Sequence, residues 1–333
     1  MTANLNHLIQ KKNVKIFFRV ESVADLNTAK GFIEVLGIKR KHVVISYGAE
    51  ATRMMAQAVF KGCSLTTSRR VLSHYFPVKF DTEGRTRLME KNLIVNYDPY
   101  KYCLSARISS KEKIALRRAM RIKKSRKVIA ASCSTRDEVD AILKAYRNLN
   151  LSERPLLIFG LRRADAFLSG SLNRRGFRTH DRRFLKQDLS YFGRSDIVVL
   201  NTMGELFKFL GIADLAIVGH DRNIFEPALL GVPILYFGSP LNMSQNDKQM
   251  ASLFGLFWRK NSTAKSLLDR TGGARRIDLT SFHHQITNML RFPDRVIRGT
   301  RKAVRLFHRQ VIPSNRLRGA RLLVSAMMAK STK

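Results

Sequence analysis

Short apolar runs alternate with helical patterns along this chain, and that alternation constrains its fold more than any other feature. In the segment Asn201–Asn242, the runs AIVG and VPILYFG each follow a pattern typical of a helix. The alternation begins at VKIFFRV and HVVIS near the amino terminus, and it recurs at VIAAS, PLLIFG and DIVVLN. Strands that alternate with helices predict an α/β fold with parallel sheets. Ligands of such folds bind where the loops gather, at the carboxyl ends of the strands.

The spacing of these runs predicts two α/β domains, and 333 residues suffice for two hydrophobic cores. We expect an amino-terminal domain over residues 1–110, a basic linker over 111–127, a second domain over 128–290 and basic helices over 291–333. The basic helices, which are broken at Pro313, either dock on the protein and cross back to the first domain or lie on an anionic membrane surface.

The charge of the chain is strongly positive. Sixty-one Lys and Arg residues stand against 25 Asp and Glu, which gives a formal net charge of +36. Such a field attracts polyanions, including nucleic acid, anionic lipid and phosphorylated glycans. The basic segment 111–127 is either a solvated helix face or a polyanion-binding face. The chain carries no recognition-helix or aromatic RNA-binding motif, so its charge alone predicts only sequence-blind binding to nucleic acid.

The cysteine pattern and the amino terminus indicate a cytoplasmic protein. Cys63, Cys103 and Cys133 are far apart and follow no metal or redox spacing, which predicts free thiols in a reducing compartment. No Cys-His cluster, P-loop or Asp-x-Asp triplet occurs, so we expect neither a metal site nor a cofactor. The amino terminus lacks a signal-peptide pattern, and no window approaches the ~20 apolar residues of a membrane span. We expect the protein to be soluble or peripheral on the inner membrane.

Several polar residues have the chemistry that a nucleotide requires. Thr202 ends a predicted strand, and the N–H groups of the next three residues would begin a helix and face an anion: Met203, Gly204 and Glu205. Glu226, at the start of the following helix, either accepts the hydroxyls of a ribose or is an ordinary acid at a helix amino terminus. Arg162 and Arg163 follow a predicted strand and either bind phosphate or lie on the surface. His220 also follows a strand.

The central segment resembles, in order, four motifs of the 3-deoxy-D-manno-octulosonic acid (Kdo) transferases of lipopolysaccharide assembly. NTMGEL resembles their DTMGEL, with Asn201 in place of Asp, and ADLAIVG resembles ADVAFVGG. RNIFEPA resembles HNPLEPA, and GSPLN resembles GPHxxNF with one residue deleted. Upstream, IAAS together with Glu138 is similar to the family's AAST-H-x-GEE, and LRR stands where the family has Pro-Arg-His. In the first domain, ESVADLNTA resembles the SVGE segment and SARIS resembles NARLS.

This resemblance implies a GT-B fold, in which two Rossmann-like, doubly wound α/β domains with parallel sheets face each other across a cleft. It implies a metal-independent, inverting glycosyltransferase with CMP-Kdo or a similar CMP-sugar as donor and a lipid A precursor or other anionic glycan as acceptor. Asp25 would be the catalytic base, in place of the family's Glu. Donor binding is assigned to Arg162, Thr202, Met203, Gly204, Glu205, Asn223, Glu226 and Asn242, with Arg107, Arg163, His220 and Arg222 as further candidates.

Departures from the family pattern leave two alternatives. The first domain is shortened on either side of SARIS, which suggests a smaller or different acceptor, and Arg222 or His220 stands in for the His of HNPLEPA. One alternative is a GT-B-like protein that binds a CMP-sugar without catalysis. The other is a basic nucleic-acid-binding protein.

Overall fold

The computed structural model contains two compact units. One takes in Met1–Ser105 and Leu306–Lys333, and the other takes in Ala106–Phe254 and Asn261–Arg305. The structure describes residues 2–21, 23–48, 53, 56–57, 59–68, 70–72, 74–81, 87–89, 92–96, 108–133, 135–161, 167–185, 188–202, 205–220, 222, 224–238, 241 and 262–329.

The first unit is built on a six-stranded sheet with the order β3-β2-β1-β4-β6-β5, in which only the pair β5 and β6 is antiparallel. Its strands are β1 (Lys15–Val20), β2 (Val43–Tyr47), β3 (Ser64–Thr66), β4 (Tyr75–Asp81), β5 (Arg87–Met89) and β6 (Asn92–Asn96). The first two helices are α1 (Thr2–Lys11) and α2 (Val23–Leu36).

The core of the first unit lies between this sheet and the helices that cover it. Phe18 of β1 meets Phe32 of α2 edge to face, with ring centroids 5.8 Å apart. The carboxyl-terminal helix, Ile312–Ala329, adds Leu323 and Met327 to the same core. The last helix of the chain therefore packs with the first domain.

The second unit is built on a seven-stranded, wholly parallel sheet with the order β13-β12-β11-β7-β8-β10-β9. Its strands are β7 (Val128–Cys133), β8 (Leu156–Leu161), β9 (Thr179–Asp181), β10 (Ile197–Leu200), β11 (Leu215–Val218), β12 (Ile234–Tyr236) and β13 (Ala274–Arg276). All six residues of β7 are buried, because helices cover both faces of a parallel sheet.

Helices connect these strands. In chain order they are α3 (Ser110–Ala119), α4 (Arg136–Arg147), α5 (Leu168–Arg174), α6 (Leu206–Leu210), α7 (Phe225–Leu229), α8 (Ser262–Thr271), α9 (Phe282–Arg291) and α10 (Asp294–Leu306). A π-helical turn, Phe307–Val311, links α10 to α11, which is the carboxyl-terminal helix Ile312–Ala329. The chain thus stays helical from Asp294 to Ala329, and in place of the break that we predicted at Pro313 there is a π-helical turn directly before Ile312 and Pro313.

The segment that we predicted as a basic linker differs from that prediction, because it packs within the second unit. Helix α3 begins at a capping box between Ser109 and Glu112. The guanidinium of Arg117 lies 3.2 Å from the carboxylate of Asp214. Arg126 is 6% exposed and donates hydrogen bonds to the carbonyls of Arg154, Gly193 and Ser195. Specific hydrogen bonds thus hold these cations against the second sheet.

The order of the strands places a topological switch point between β7 and β11. From β7 the chain adds β8, β9 and β10 on one side, and it then crosses over to add β11, β12 and β13 on the other. Loops that leave two such neighbouring strands in opposite directions open a crevice at their carboxyl ends, where open α/β sheets bind ligands. Among the described residues, no helix has the length and apolar character needed to span a bilayer.

Candidate functional site

The switch point is organised by Glu138, a carboxylate with no exposed surface in the first turn of α4. A capping box places it there: the Thr135 side chain accepts from the N–H of Glu138, and the Glu138 carboxylate accepts from the N–H of Thr135 at 3.4 Å. The same carboxylate reaches across to the end of β11. Its Oε1 accepts from the backbone N–H of His220 and lies 2.8 Å from Nδ1 of the His220 ring. One buried acid therefore ties the loop after β7 to the loop after β11.

Gly219 allows this close approach. A Cβ atom at this position would lie 2.5 Å from Oε2 of Glu138 and 3.0 Å from the carbonyl oxygen of Ser132. The N–H of Gly219 donates to that carbonyl at 2.7 Å, which extends the pairing of β7 and β11. Any side chain here would push the two loops apart, so the contact between Glu138 and His220 requires glycine.

A cation lies beside this pair. Arg222 donates from Nε to the hydroxyl of Ser132 at 2.7 Å. Because a guanidinium stays protonated at any physiological pH, this hydrogen bond fixes a positive charge at the end of β7. The neighbouring Cys133 is buried, which raises the pKa of its thiol, and the adjacent Glu138 raises it further. The thiol is therefore protonated and is no candidate nucleophile.

A second polar cluster lies at the ends of β9 and β10. The side chain of Asp181 is 1% exposed. Its carboxylate accepts hydrogen bonds from Nε and Nη2 of Arg183, at 3.1 and 2.7 Å, and from Nδ2 of Asn201, at 2.6 Å. Burial alone would raise the pKa of Asp181, but the hydrogen bonds from Arg183 and Asn201 hold it below its ordinary value. An Asp at position 201 would bring a second carboxylate against Asp181, and like charges this close repel. An Asn at position 201 therefore stabilises the carboxylate of Asp181, whereas an Asp would repel it.

Glu205 connects this cluster to α6. Its Oε1 lies 3.1 Å from Nη2 of Arg182, and its Oε2 accepts from the hydroxyl of Thr202. The predicted helix at Met203 begins later than expected, since α6 starts at Leu206 and has five residues. A helix this short has a small dipole. The role of Glu205 in the structure is therefore to hold Arg182 and Thr202 in place.

The other predicted residues fall in three groups. Glu226 is half-buried and is the second residue of α7. Asp25 belongs to the first unit, in the first turn of α2 after the central strand β1, where its carboxylate accepts from the N–H of Glu21 at 3.2 Å. Seven residues lie outside the described part of the chain, and their assignments stay predictions: Arg107, Arg162, Arg163, Met203, Gly204, Asn223 and Asn242.

A cavity of about 490 Å³ opens at the carboxyl ends of β12 and β13. Its walls are Phe237, Gly238, Leu241, Arg276, Ile277, Asp278 and Leu279. At ordinary strand spacing the end of β13 lies about 10 Å from that of β11. The cavity therefore belongs to the same edge of the sheet as Glu138, His220 and Arg222. In the described part of the chain, no group of His, Cys, Asp or Glu side chains has the arrangement of a metal site.

Sequence reasoning missed Asp181, Arg182 and Arg183, and it named Glu138 only through the family resemblance. A three-residue strand such as β9 is too short for a hydrophobic period to reveal. The signal that was available is the run His-Asp-Arg-Arg, which stands between Phe177 and the apolar segment Ile197–Leu200. In the sequence a short polar run of this kind indicates a loop, whereas the structure shows that Thr179–Asp181 is strand β9.

Neither a protein-family model nor a curated protein sequence matches the chain. Solved structures do match. HepE of Anabaena in complex with UDP-glucose superposes with a TM-score of 0.57 at 10% identity, over 94% of this chain and 100% of HepE. A glycosyltransferase from Rickettsia africae superposes with a TM-score of 0.51 at 8% identity, over 93% of this chain and 98% of that one.

The chain has a GT-B-like fold. At these identities the likeness establishes the fold and nothing more, because one fold hosts many activities. A third match is to the C-terminal CMP-Kdo-binding domain of WaaA from Acinetobacter baumannii, at 15% identity over 58% of this chain and 96% of that domain. Its TM-score of 0.45 is too low to support an argument.

Proposed function

We propose that this protein is an inverting, metal-independent glycosyltransferase that moves Kdo or a related sugar acid from a CMP-sugar to a lipid A-type or other anionic glycan acceptor. The observation that carries the proposal is the arrangement at the switch point of the second sheet. There Glu138 and Ser132 hold His220 and Arg222 at the carboxyl ends of two central strands. Glu138, Ser132 and Arg222 lie in segments that resemble the motifs of Kdo transferases, and His220 stands between two of these segments, which is why a CMP-linked sugar acid is the donor class that we assign.

The cations at this edge suit a donor that carries two kinds of negative charge. A CMP-linked sugar acid presents one phosphate and one carboxylate, both of which form short hydrogen bonds to guanidinium groups. Arg222 is held by Ser132, and Arg182 is held by Glu205. Because both guanidinium groups are positioned before a donor arrives, little rearrangement is needed as charge develops. Glu226, on α7, would accept the ribose hydroxyls, and the cavity beside Gly238 has room for a nucleobase.

The reaction that we assign is a single displacement. The acceptor hydroxyl attacks the anomeric carbon as the bond from that carbon to the phosphate oxygen breaks. The electron pair of the broken bond leaves with CMP, and Asp25 takes the proton of the attacking hydroxyl. A base in this role must lie within hydrogen-bonding reach of that hydroxyl. Asp25 suits it because it follows β1, the central strand of the first sheet, at the switch point between β1 and β4.

Two alternatives predict different behaviour. A GT-B-like protein without catalysis would bind CMP and CMP-sugars with the same residues but would transfer nothing. A nucleic-acid-binding protein would bind oligonucleotides with an affinity that falls steeply with salt, and it would show no preference for CMP. The nucleic-acid alternative gives no reason for a buried acid, a histidine and a cation to meet at the switch point, whereas the non-catalytic binder would use the same arrangement and is separated from an enzyme by a transfer assay.

Calorimetric titration with CMP, UMP and UDP-glucose tests the donor assignment. We expect CMP to bind the native protein more tightly than UMP does, and we expect Glu226→Ala to weaken CMP binding by about tenfold, the effect of one lost hydrogen bond to a charged group. Glu34→Ala, an exposed acid on α2 that pairs with Lys30, is the matched control and should not change the affinity. Equal CMP affinity in Glu226→Ala and Glu34→Ala would contradict the assignment.

A further inference from the structure

Helix α10 presents a row of cations to solvent. Five of its thirteen residues are exposed cations: Arg295, Arg298, Arg301, Lys302 and Arg305. At 3.6 residues per turn they fall within about one third of the helix circumference, and at a rise of 1.5 Å per residue they extend over about 15 Å. Asp294, at the amino end, is the only acidic residue of the helix. None of the five cations forms an ion pair with a carboxylate in the part of the chain that the structure describes.

The opposite face fixes this helix firmly to the second unit. Gly299 lies so close to the turn after α8 that a Cβ atom on it would be 2.4 Å from the carbonyl oxygen of Thr271. The hydroxyl of Thr300, which is fully buried, donates to the carbonyl of Gly273 at 2.7 Å. Val296 and Ala303 complete the buried face. The row of cations is therefore held in place rather than assembled when a partner arrives.

The shape of the exposed face favours a flat partner. On either side of the cations, Ile297, Val304 and Leu306 are half-buried, so the helix is partly sunk into the protein. Only the face that carries the five cations extends into solvent. A helix that reads nucleic acid enters the major groove and must stand clear of its own domain on several sides. The exposed face of α10 can instead contact a flat surface along its whole length.

An aromatic side chain lies next to the row. Phe292, two residues before α10 begins, is 74% exposed. Exposed aromatic residues beside cations are typical of surfaces that contact the interface of a bilayer, where the ring enters the headgroup layer and the cations remain among the phosphates.

We infer that the outer face of α10, with Phe292 at its amino end, docks this protein on an anionic phospholipid bilayer. The inference goes beyond the proposed transfer and does not depend on it, because it concerns a surface that needs neither donor nor acceptor to bind. Docking would place the second unit beside a membrane through electrostatic attraction, and it would weaken as salt rises.

Co-sedimentation of the full chain with lipid vesicles tests this inference. Vesicles of phosphatidylcholine with about 30 mol% phosphatidylglycerol, which carry a negative surface potential, should bind the protein, and pure phosphatidylcholine vesicles should not. The triple variant Arg298→Gln, Lys302→Gln, Arg305→Gln should lose about a hundredfold in vesicle affinity, since each cation at the surface contributes roughly fivefold.

A matched triple variant controls for total charge. Arg174→Gln, Arg194→Gln, Lys208→Gln removes three exposed cations from segments beside β9 and β10. Since β10 lies five strands from β13, roughly 24 Å at ordinary strand spacing, this variant should keep vesicle affinity within about twofold, because charge beyond a Debye length of the bilayer is screened. Unchanged circular dichroism and CMP affinity would show that both variants fold. Equal losses in the two triple variants, or no binding of the native chain to anionic vesicles, would overturn the inference. So would an α10 variant that loses affinity for duplex RNA but keeps its affinity for vesicles.

Discussion

Nδ1 of His220 lies 2.8 Å from Oε1 of Glu138, and the two side chains are 8% and 0% exposed. The same carboxylate oxygen accepts from the backbone N–H of His220. When this carboxylate is ionised it can only accept, which places the proton of the pair on Nδ1 of His220. Glu138 therefore fixes both the position of the loop after β11 and the orientation of its histidine.

Glu138→Ala should lower the free energy of unfolding by about 3 kcal/mol, because it leaves two buried donors of His220 and one of Thr135 without their acceptor. Glu138→Gln keeps one acceptor oxygen and should cost less. Denaturant unfolding measures both, and calorimetry should show CMP affinity falling in the same order. A Glu138→Ala protein as stable as the native one would contradict this account of the switch point.

Gly219→Ala places a Cβ atom 2.5 Å from Oε2 of Glu138, and one of the two must move. We expect it to weaken CMP binding by at least about tenfold and to destabilise the protein by about 1–3 kcal/mol, as overpacking does. Gly170→Ala is the control. It lies in α5, where among the described residues a Cβ atom would meet Arg174 alone, at 3.8 Å, and alanine should stabilise the helix. Equal effects at the two positions would show that the close approach is not needed.

The elements around the site could be predicted where burial produces continuous apolar runs. Val128–Cys133 is buried throughout, and parallel strands of this kind appear in the sequence as uninterrupted apolar segments. The predicted runs VIAAS and AIVG end within one residue of the observed ends of β7 and β11. The helix after Asn201 was placed too early because Glu205 accepts hydrogen bonds from Thr202 and from Arg182, and no local pattern reveals a partner that lies 23 residues away.

Buried charges were the least predictable part. Glu138, three residues after Thr135, has the pattern of an ordinary capping box, and nothing in that pattern indicates complete burial. Arg126 belongs to a basic run that we predicted to be either a solvated face or a polyanion-binding face, yet three carbonyls surround its guanidinium. Composition counts the cations of a chain but cannot tell which of them the fold will bury.

Asp181→Asn should lower the free energy of unfolding by about 3 kcal/mol, because it breaks a buried pair with Arg183 and removes an acceptor of Asn201. The exposed pair of Arg175 and Asp140 has a similar distance of 2.9 Å, with side chains 46% and 49% exposed. Asp140→Asn should cost less than about 1 kcal/mol, because water screens an exposed pair. Chemical denaturation of the two variants side by side measures the difference. Similar losses would mean that burial does not control the strength of these pairs.

Stability should decline as the pH falls below about 6.5, the ordinary pKa of histidine. Burial lowers the pKa of His180 in the folded protein, and burial followed by the charges of Lys41 and Lys39 lowers the pKa of His42. Below pH 6.5 the unfolded chain therefore binds protons that the folded chain does not, and the free energy of unfolding falls with pH. Above that pH these two groups contribute no slope.

Urea unfolding at a series of pH values checks this expectation. His180→Asn should reduce the slope of the free energy of unfolding against pH on the acidic side. Above neutral pH it should leave that slope unchanged. The Nδ1 atom of His180 lies 2.8 Å from the hydroxyl of Ser195, which an Asn side chain can also approach. An acidic slope that is the same in the native protein and in His180→Asn would show that this histidine does not contribute.

Mass spectrometry of a lipid A precursor incubated with CMP-Kdo and the protein tests the proposed transfer most directly. We expect the acceptor to gain the mass of one or more sugar acids while CMP is released, without added metal. Asp25→Asn should slow this transfer by at least about a hundredfold, as expected for loss of a general base, and should keep its CMP affinity. An unmodified acceptor in the presence of native protein that binds CMP would contradict the proposed activity, and full turnover by Asp25→Asn would contradict the assigned base.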